Sequence, residues 1–274
     1  MSERVVLLTG AAGGIGRATV QALAARGFRV YAAVRPQSHP TFDQNVCVIP
    51  LDVTDPDSVA DAAKTIEAAE PEGLYALINN AGLIVQGPLE LVPSAELHRQ
   101  FAVNVYGPAL VTAAFLPLLR KGHGRIINIS APTARVAAPF ASPIGASKAA
   151  LESLSAALRI ELAPWHIPVV VVQPGGTDTA IFAKAGAAAG AAMAAADPDL
   201  VALYQPQLAA VAKAMARMRP GPVDQVAKVI VAAAEARRPK LLYLAGRDAR
   251  LAAILARIPA RPRARLLARA MGLA

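Results

Sequence analysis

The chain has 274 residues, 55% hydrophobic and 17% charged, which excludes a disordered polymer and fits one large α/β domain. One cysteine excludes a disulfide framework and a cysteine-based zinc cluster, and 4% aromatic content argues against a stacking surface for single-stranded nucleic acid. The net charge of +9 is uneven: residues 247–274 hold seven Arg and one Asp, +6, and the other 246 residues carry only +3.

Residues 5–8, Val-Val-Leu-Leu, are a short β-branched apolar run and predict a buried strand. A Gly-rich turn leads into a helix over 15–26 with Ala18, Val20, Leu23 and Ala24 as packing positions, and Gly27 closes it. Strands follow over 29–34 and 46–51, then a helix to about 69 opened by Asp55-Pro56. A fourth strand is predicted over 74–79, one long helix over 94–119, a fifth strand over 125–130 and a helix over 147–162. Strands over 169–173 and 241–244 complete the series. These runs are continuously apolar rather than alternating, the pattern of strands buried on both faces. The predicted fold is therefore a Rossmann-like, doubly wound α/β sheet of seven parallel strands.

No linker divides the chain, so a single domain is expected over 1–246, followed by a basic extension over 247–274. Residues 180–222 are rich in Ala and Met and follow the C-terminal end of the sixth strand, where open α/β sheets bind ligands. A helical lid is expected there, the alternative being a plain surface insertion. In the extension, Leu251, Ile254, Leu255 and Ile258 make one apolar helical stripe, and Leu266, Leu267, Ala270 and Met271 a second, divided by Pro259 and Pro262. Two readings fit: a helix pair packed over the pocket or a neighbouring subunit, which is preferred, or peripheral contact with a membrane surface. Nucleic-acid binding is not expected, since no recognition motif accompanies the charge. Mean hydropathy of +0.41 is inflated by 63 alanines. No run of about 18 uninterrupted apolar residues predicts a membrane span. The opening MSERVVLLTG has no signal-peptide pattern, and a cytoplasmic location is expected.

Thr9-Gly10-Ala11-Ala12-Gly13-Gly14-Ile15-Gly16 joins the first strand to the first helix. Glycines let the backbone turn tightly and approach a pyrophosphate, and the helix N-terminus offers unpaired N–H groups and a positive dipole end. In this strand–turn–helix setting the loop points to a nucleotide. Further motifs follow in order: Asp52-Val53; Asn79-Asn80-Ala81-Gly82 after the fourth strand; Asn104 in Asn-Val-Tyr-Gly; Lys148; and Pro174-Gly175 with Thr179. Together, over residues 4–245, these resemble the short-chain dehydrogenase/reductase family.

The resemblance implies roles residue by residue. Thr9, Gly10, Gly14, Ile15 and Gly16 would cradle the cofactor phosphates. Asp52 and Val53 would meet the adenine. Asn79, Ala81 and Gly82 would line the cofactor groove, and Asn104 would serve as the structural and catalytic Asn. Pro174, Gly175 and Thr179 would hold the nicotinamide carboxamide. It also implies a small-molecule substrate and a homodimer or homotetramer joined through the long helices. Cofactor choice follows from charge. The second strand ends Ala32-Ala33-Val34-Arg35, with no acid to bond a ribose 2′-OH. Arg35, helped by Arg17, can pair with a 2′-phosphate, so NADP(H) is favoured over NAD(H).

The catalytic helix departs from the family pattern. In a YxxxK motif the Tyr exchanges a proton with the substrate oxygen, and the Lys one turn later binds the ribose and lowers the Tyr pKa. Here Lys148 is in place, but the Tyr position is Ile144. Thirteen residues earlier, where the family has a Ser, stands Ala131; Ser130 is one residue away on a strand, and alternation points it to the opposite face. Ser130, Ser142, Thr133 and Tyr204 are the candidate stand-ins. Isoleucine donates no proton, so ordinary carbonyl reduction should be poor. An NADP(H)-dependent oxidoreductase acting on a hydrophobic imine, iminium or activated C=C fits best. The alternatives are a non-redox cyclase, isomerase or lyase on the same scaffold, or a catalytically silent NADP(H)-binding protein. No GxSxG elbow supports a hydrolase. His39, His98, His123 and His166 lack metal-ligand spacing, so no metal is expected, and Cys47 is read as a core residue of a strand.

Overall fold

Seven parallel strands, ordered β3-β2-β1-β4-β5-β6-β7, form one sheet in a computed structural model that describes residues 4–42 and 45–273. The strands are β1 (Val5–Thr9), β2 (Arg29–Val34), β3 (Val46–Pro50), β4 (Ala76–Asn79), β5 (Arg125–Ile129), β6 (Val169–Pro174) and β7 (Leu242–Ala245). β1, β5 and β6 are buried along their whole length, as continuous apolar runs between two helix layers must be. Helices α1 (Gly14–Ala24) and α8 (Val223–Glu235) cover one face through Val20, Leu23, Val226 and Ile230. On the other face lie α2 (Pro56–Ala69), α4 (Gly107–Lys121) and α5 (Ser142–Glu161), through Val59, Ile66, Phe115 and Leu162 beside α5. Strand order reverses between β1 and β4, and the crevice at such a switch point is where open sheets bind ligands. The seven-stranded parallel prediction thus holds.

The helices differ from expectation in three places. Helix α8 was not anticipated: its Ala-rich sequence, following Pro220-Gly221-Pro222, hides a buried face that packs on α1. The long helix predicted over 94–119 is broken into α3 (Ser94–Phe101), a π-helical turn over Ala102–Tyr106 and α4. Pro108 has no N–H to offer the carbonyl of Asn104, four residues earlier, so the regular ladder cannot run through this point. Residues Ser94–Lys121 are apolar and long enough to cross a membrane by composition, yet half of the most apolar window is buried within the fold. Helix α5 begins at Ser142, five residues before its expected start, because Pro143 fits the first helical turn.

Residues 180–222 form two helices, α6 (Ala180–Ala194) and α7 (Pro198–Met215), the latter opened by Asp197 accepting from Asp199 N. The two feet of this excursion are tied together. Asp178 N donates to the Gly221 carbonyl (2.9 Å), and Gly221 N to that of Gly176 (2.8 Å). Ala185, Ala188 and Ala192 of α6 face the segment 85–93 across a small cavity that both line. The extension forms α9 (Arg247–Leu255) and α10 (Ala260–Ala270). Asp248 of α9 accepts from Gly176 N at 2.5 Å, and a Cβ on Gly175 would fall 1.8 Å from the same carboxylate. Helix α9 is thereby fastened to the loop after β6, and only glycine at 175 allows that approach. Cys47, expected in the core, lies in β3 but is only half-buried.

Candidate active site

The Gly-rich turn is held in a conformation that leaves the α1 N-terminus open. Gly10 has φ +68°, which a side chain resists, and a Cβ there would sit 2.7 Å from the Ala81 Cα. Gly16 is tighter still, its Cβ position lying 2.3 Å from the Gly10 carbonyl oxygen. No side chain caps α1, whose first N–H groups therefore face the turn without a protein acceptor of that kind. Ala11 N donates to the Ala33 carbonyl (3.0 Å), which sets the turn beside the end of β2 and exposed Arg35. Arg17 leans over the Phe42 ring at 5.4 Å. Thr179 closes the other side: its methyl lies 2.7 Å from where a Gly14 Cβ would be.

The segment after β4 is bolted to this turn. Thr9 Oγ1 accepts from the N–H groups of Asn80 and Ala81, each at 3.1 Å. Asn80 Nδ2 donates to the carbonyls of Thr9 (2.9 Å) and Gly10 (3.2 Å). Asn80, named in the sequence only as part of the Asn-Asn-Ala-Gly motif and given no role there, is thus the residue that joins the two loops. Asn79 faces inward: its Nδ2 donates to Asn128 Oδ1 (2.8 Å) and Thr112 Oγ1 (3.1 Å). It fastens β4 to β5 and α4 beneath the groove instead of lining it. Asp52 Oδ1 accepts from Thr54 N (2.9 Å), and Val53 packs against Gly107, at the start of α4.

Asn104 is wholly buried in the π turn. Its Oδ1 accepts from Leu83 N and its Nδ2 donates to the Leu83 carbonyl, both at 3.0 Å. Gln100, another residue the sequence did not flag, repeats the device. Its Oε1 accepts from Val85 N (2.6 Å) and its Nε2 donates to the Leu83 carbonyl (3.0 Å). Gln100 also reaches Ser147 Oγ (3.2 Å), which donates to the Ile144 carbonyl (2.9 Å). These three polar residues clamp segment 83–85 to α5 and hold Gly82 beside Lys148. A Cβ on Gly82 would lie 3.7 Å from Lys148 Nζ and 3.4 Å from Asn104 Oδ1.

Lys148 donates to the Ile129 carbonyl at 2.7 Å and is 8% exposed. Burial lowers its pKa from 10.5 to about 8, and Glu152 one turn further on opposes that shift. Ile144, one turn before Lys148, is 7% exposed and aliphatic. The stand-ins do not converge on it. Ser130 Oγ donates to Glu152 Oε1 (2.7 Å), eight residues beyond Ile144, or about 12 Å along the helix axis. Gln173 and Arg135 hold the same carboxylate, so the suggested use of Ser130 is corrected: its hydroxyl is a structural tie to α5. The Tyr204 hydroxyl of α7 donates to Glu90 Oε2 (2.8 Å), in the short turn over Leu89–Leu91. Ser142 is the exposed first residue of α5, and the Thr133 hydroxyl is enclosed without a hydrogen-bond partner among the described residues. Among the described residues, no group of His, Cys, Asp or Glu could hold a metal ion.

The family model for short chain dehydrogenase matches residues 4–190. The chain belongs to the short-chain dehydrogenase family. It is 37% identical to estradiol 17-beta-dehydrogenase 2 of Mus musculus, over 66% of this chain and 50% of that one. It is 38% identical to a 3-amino-tetrahydro-pyrrolizinone reductase of Xenorhabdus hominickii, over 67% of this chain and 65% of that one. The chain thus spans about half to two thirds of the length of these curated relatives. Among solved structures, a short chain dehydrogenase from Burkholderia cenocepacia J2315 in complex with NADP superposes with a TM-score of 0.75 at 29% identity, covering 98% of both chains. A short-chain dehydrogenase from Streptomyces avermitilis superposes with a TM-score of 0.73 at 28% identity, covering 92% of this chain and 91% of that one.

Proposed function

We propose that this short-chain dehydrogenase is an NADP(H)-dependent oxidoreductase acting on an apolar substrate, at an iminium carbon or an activated, conjugated C=C. One juxtaposition carries the reading: an intact nucleotide cradle with Lys148 and Asn104 in place, beside a buried Ile144 where the family has a proton-donating Tyr. The Gly10, Gly14 and Gly16 turn, with the open end of α1, has the close backbone and free N–H groups that a pyrophosphate requires. Arg35 would meet the 2′-phosphate, Asp52 and Val53 the adenine, and Lys148 the ribose. Pro174, Gly175 and Thr179 would hold the carboxamide. A bound nicotinamide supplies or accepts hydride.

Ile144 then decides the substrate class. Hydride added to a ketone leaves an alkoxide that needs a proton at once, and position 144 has none to give. Hydride added to an iminium carbon sends the π electrons to nitrogen, which loses its positive charge and needs no proton. Hydride added to a conjugated C=C leaves an enolate spread over its electron-withdrawing group, which is far less basic than an alkoxide and can take its proton from water instead of from residue 144. Relatives named for estradiol and for a pyrrolizinone support a ring-bearing substrate. Exposed Tyr106, Leu110 and Ile160 along the long helices support self-association there.

The test is NADPH oxidation with cyclic imines, conjugated enones and simple ketones of similar size. Turnover of the first two with ketones at background is expected; ketone turnover at comparable kcat/KM overturns the reading, as does product formation with no nucleotide consumed. A second expectation concerns Arg35. A charge-assisted pair to phosphate is worth about a 10- to 100-fold change in Kd, so Arg35→Ala should weaken NADPH binding by that factor and leave NADH unchanged. Titration followed by nicotinamide fluorescence decides it, and an equal loss for both nucleotides would exclude the 2′-phosphate role.

A further inference from the structure

The charge of this chain is divided between its two parts. Residues 180–274 hold fifteen Lys and Arg against five Asp and Glu, +10, while residues 1–179 sum to −1. After Asp248 the extension contains six arginines and no acid. Among the described residues, none of the six pairs with a carboxylate; Arg263 is occupied by the carbonyls of Ala256 and Ile258. Large apolar side chains stand among these charges. On α9 the inward positions are Asp248 and Ala249, and the outward ones are Arg250, Leu251 (57% exposed) and Ile254 (60%), with exposed Arg257 in the turn that follows. On α10 the sheltered side holds Arg263, Leu267 and Met271, and the outward side Arg261, Arg265, Leu266 (48%) and Arg269. Each apolar stripe is therefore only half covered by the fold. Gly272 lies against Ala210 of α7, and Leu203, two turns before Ala210 on the same helix face, is also exposed.

We propose that the outer face of α9 and α10, with the adjoining face of α7, docks on an anionic phospholipid bilayer. An amphipathic helix lying in an interface has this composition: leucine and isoleucine to enter the acyl boundary, arginines to meet headgroup phosphates. Charge complementarity selects the occupant. A second copy would bring a like-charged face against this one, and a nucleic acid would meet the arginines but leave the aliphatic side chains without a partner. Two short helices with one exposed aliphatic pair and one exposed leucine give reversible adsorption, not insertion.

The experiment is co-sedimentation of the full chain with vesicles of phosphatidylcholine alone and with vesicles containing phosphatidylglycerol. Binding is expected only to the second, falling with salt. Two triple variants separate the contributions, their thermal melts reporting that the fold is kept. Arg261→Gln/Arg265→Gln/Arg269→Gln should lose on the order of a hundredfold in partition coefficient. Leu251→Ser/Ile254→Ser/Leu266→Ser should lose tenfold or more, by roughly 0.8 kcal/mol per buried methylene over only partly immersed side chains. Equal binding to both vesicles, no binding at all, or phosphatidylglycerol binding untouched by the serine variant overturns the proposal. So does a serine variant that changes oligomeric state in a wild-type chain indifferent to lipid, which would assign the face to a second copy.

Discussion

Ketone reduction with NADPH is expected to rise by about 10²- to 10⁴-fold when Ile144 becomes Tyr and Ala131 becomes Ser, the range supplied by a positioned general acid. The scaffold for the restored groups is already present. Lys148 lies one turn from residue 144, held by the Ile129 carbonyl, and the α5 backbone at Ile144 is fixed by Ser147 Oγ, itself held by Gln100. A phenol at 144 would therefore enter a site with its ammonium partner in place, which lowers the phenol pKa toward the working range. The double variant should exceed Ile144→Tyr alone, because the Ser hydroxyl orients the substrate oxygen. Ile144→Phe supplies the bulk without the hydroxyl and should gain nothing. Steady-state kcat/KM on a ketone panel decides between them. A double variant that binds NADPH as the wild type does and still reduces no ketone would show that residues 144 and 131 are not what limits carbonyl chemistry.

Lys148→Met should make the cofactor-free protein more stable while weakening its grip on the nucleotide. The Lys148 amine titrates near 8 in the folded state and near 10.5 in an unfolded chain. Above about 10.5 the amine is neutral in both states and no penalty exists. As pH falls from 10.5 to 8 the unfolded chain takes up the proton and the folded one does not, so stability is lost across that window and stays lost below it. At pH 7 the penalty is about 3 kcal/mol. Methionine removes it but leaves the Ile129 carbonyl without its donor, which costs about 1 kcal/mol. The net gain is about 2 kcal/mol, or about 4 °C in Tm for a chain of this size. NADPH affinity should fall about tenfold or more with the lost ribose contact. Thermal melts from pH 7 to 10.5 check both parts: the wild type should gain stability toward high pH and the variant should not. A variant less stable than wild type at pH 7 would mean that the amine is solvated or paired in the fold.

The site divides the same way, into residues that bind and residues that position. Asn104, Gln100 and Ser147 spend their polar atoms on segment 83–85 and α5, and Asn80 on the Gly-rich turn. A cofactor would meet a groove whose walls are set by side chains lying behind it. That arrangement survives the change at 144 because none of these hydrogen bonds involves the side chain of residue 144.

Much of this was legible in the sequence. Uninterrupted Val, Ile and Leu runs specify strands buried on both faces, and their alternation with helices leaves a parallel doubly wound sheet as the economical solution. Glycines at 10, 14 and 16 declare a close backbone approach, since a Cβ at any of them meets atoms within 2.7 Å. The absence of a phenol at 144 is a fact of composition that no folding can alter. What only the tertiary structure decided concerns direction and partnership. Asn79 and Asn80 are adjacent and chemically identical, yet one is buried under the groove and the other joins its loops, because Asn79 is the last residue of β4 and Asn80 the first of the loop that turns toward the Gly-rich segment. Ser130 is one residue from the expected Ser, but its hydroxyl belongs to Glu152. Gln100 sits in a helix with nothing local to mark it, and its partners lie 15 to 47 residues away. Helix α8 was concealed by alanines, which signal burial only once α1 is packed against them. Local periodicity reports which side of an element is apolar; which polar group meets which is settled by contacts between residues far apart in the chain, and those exist only in the folded state.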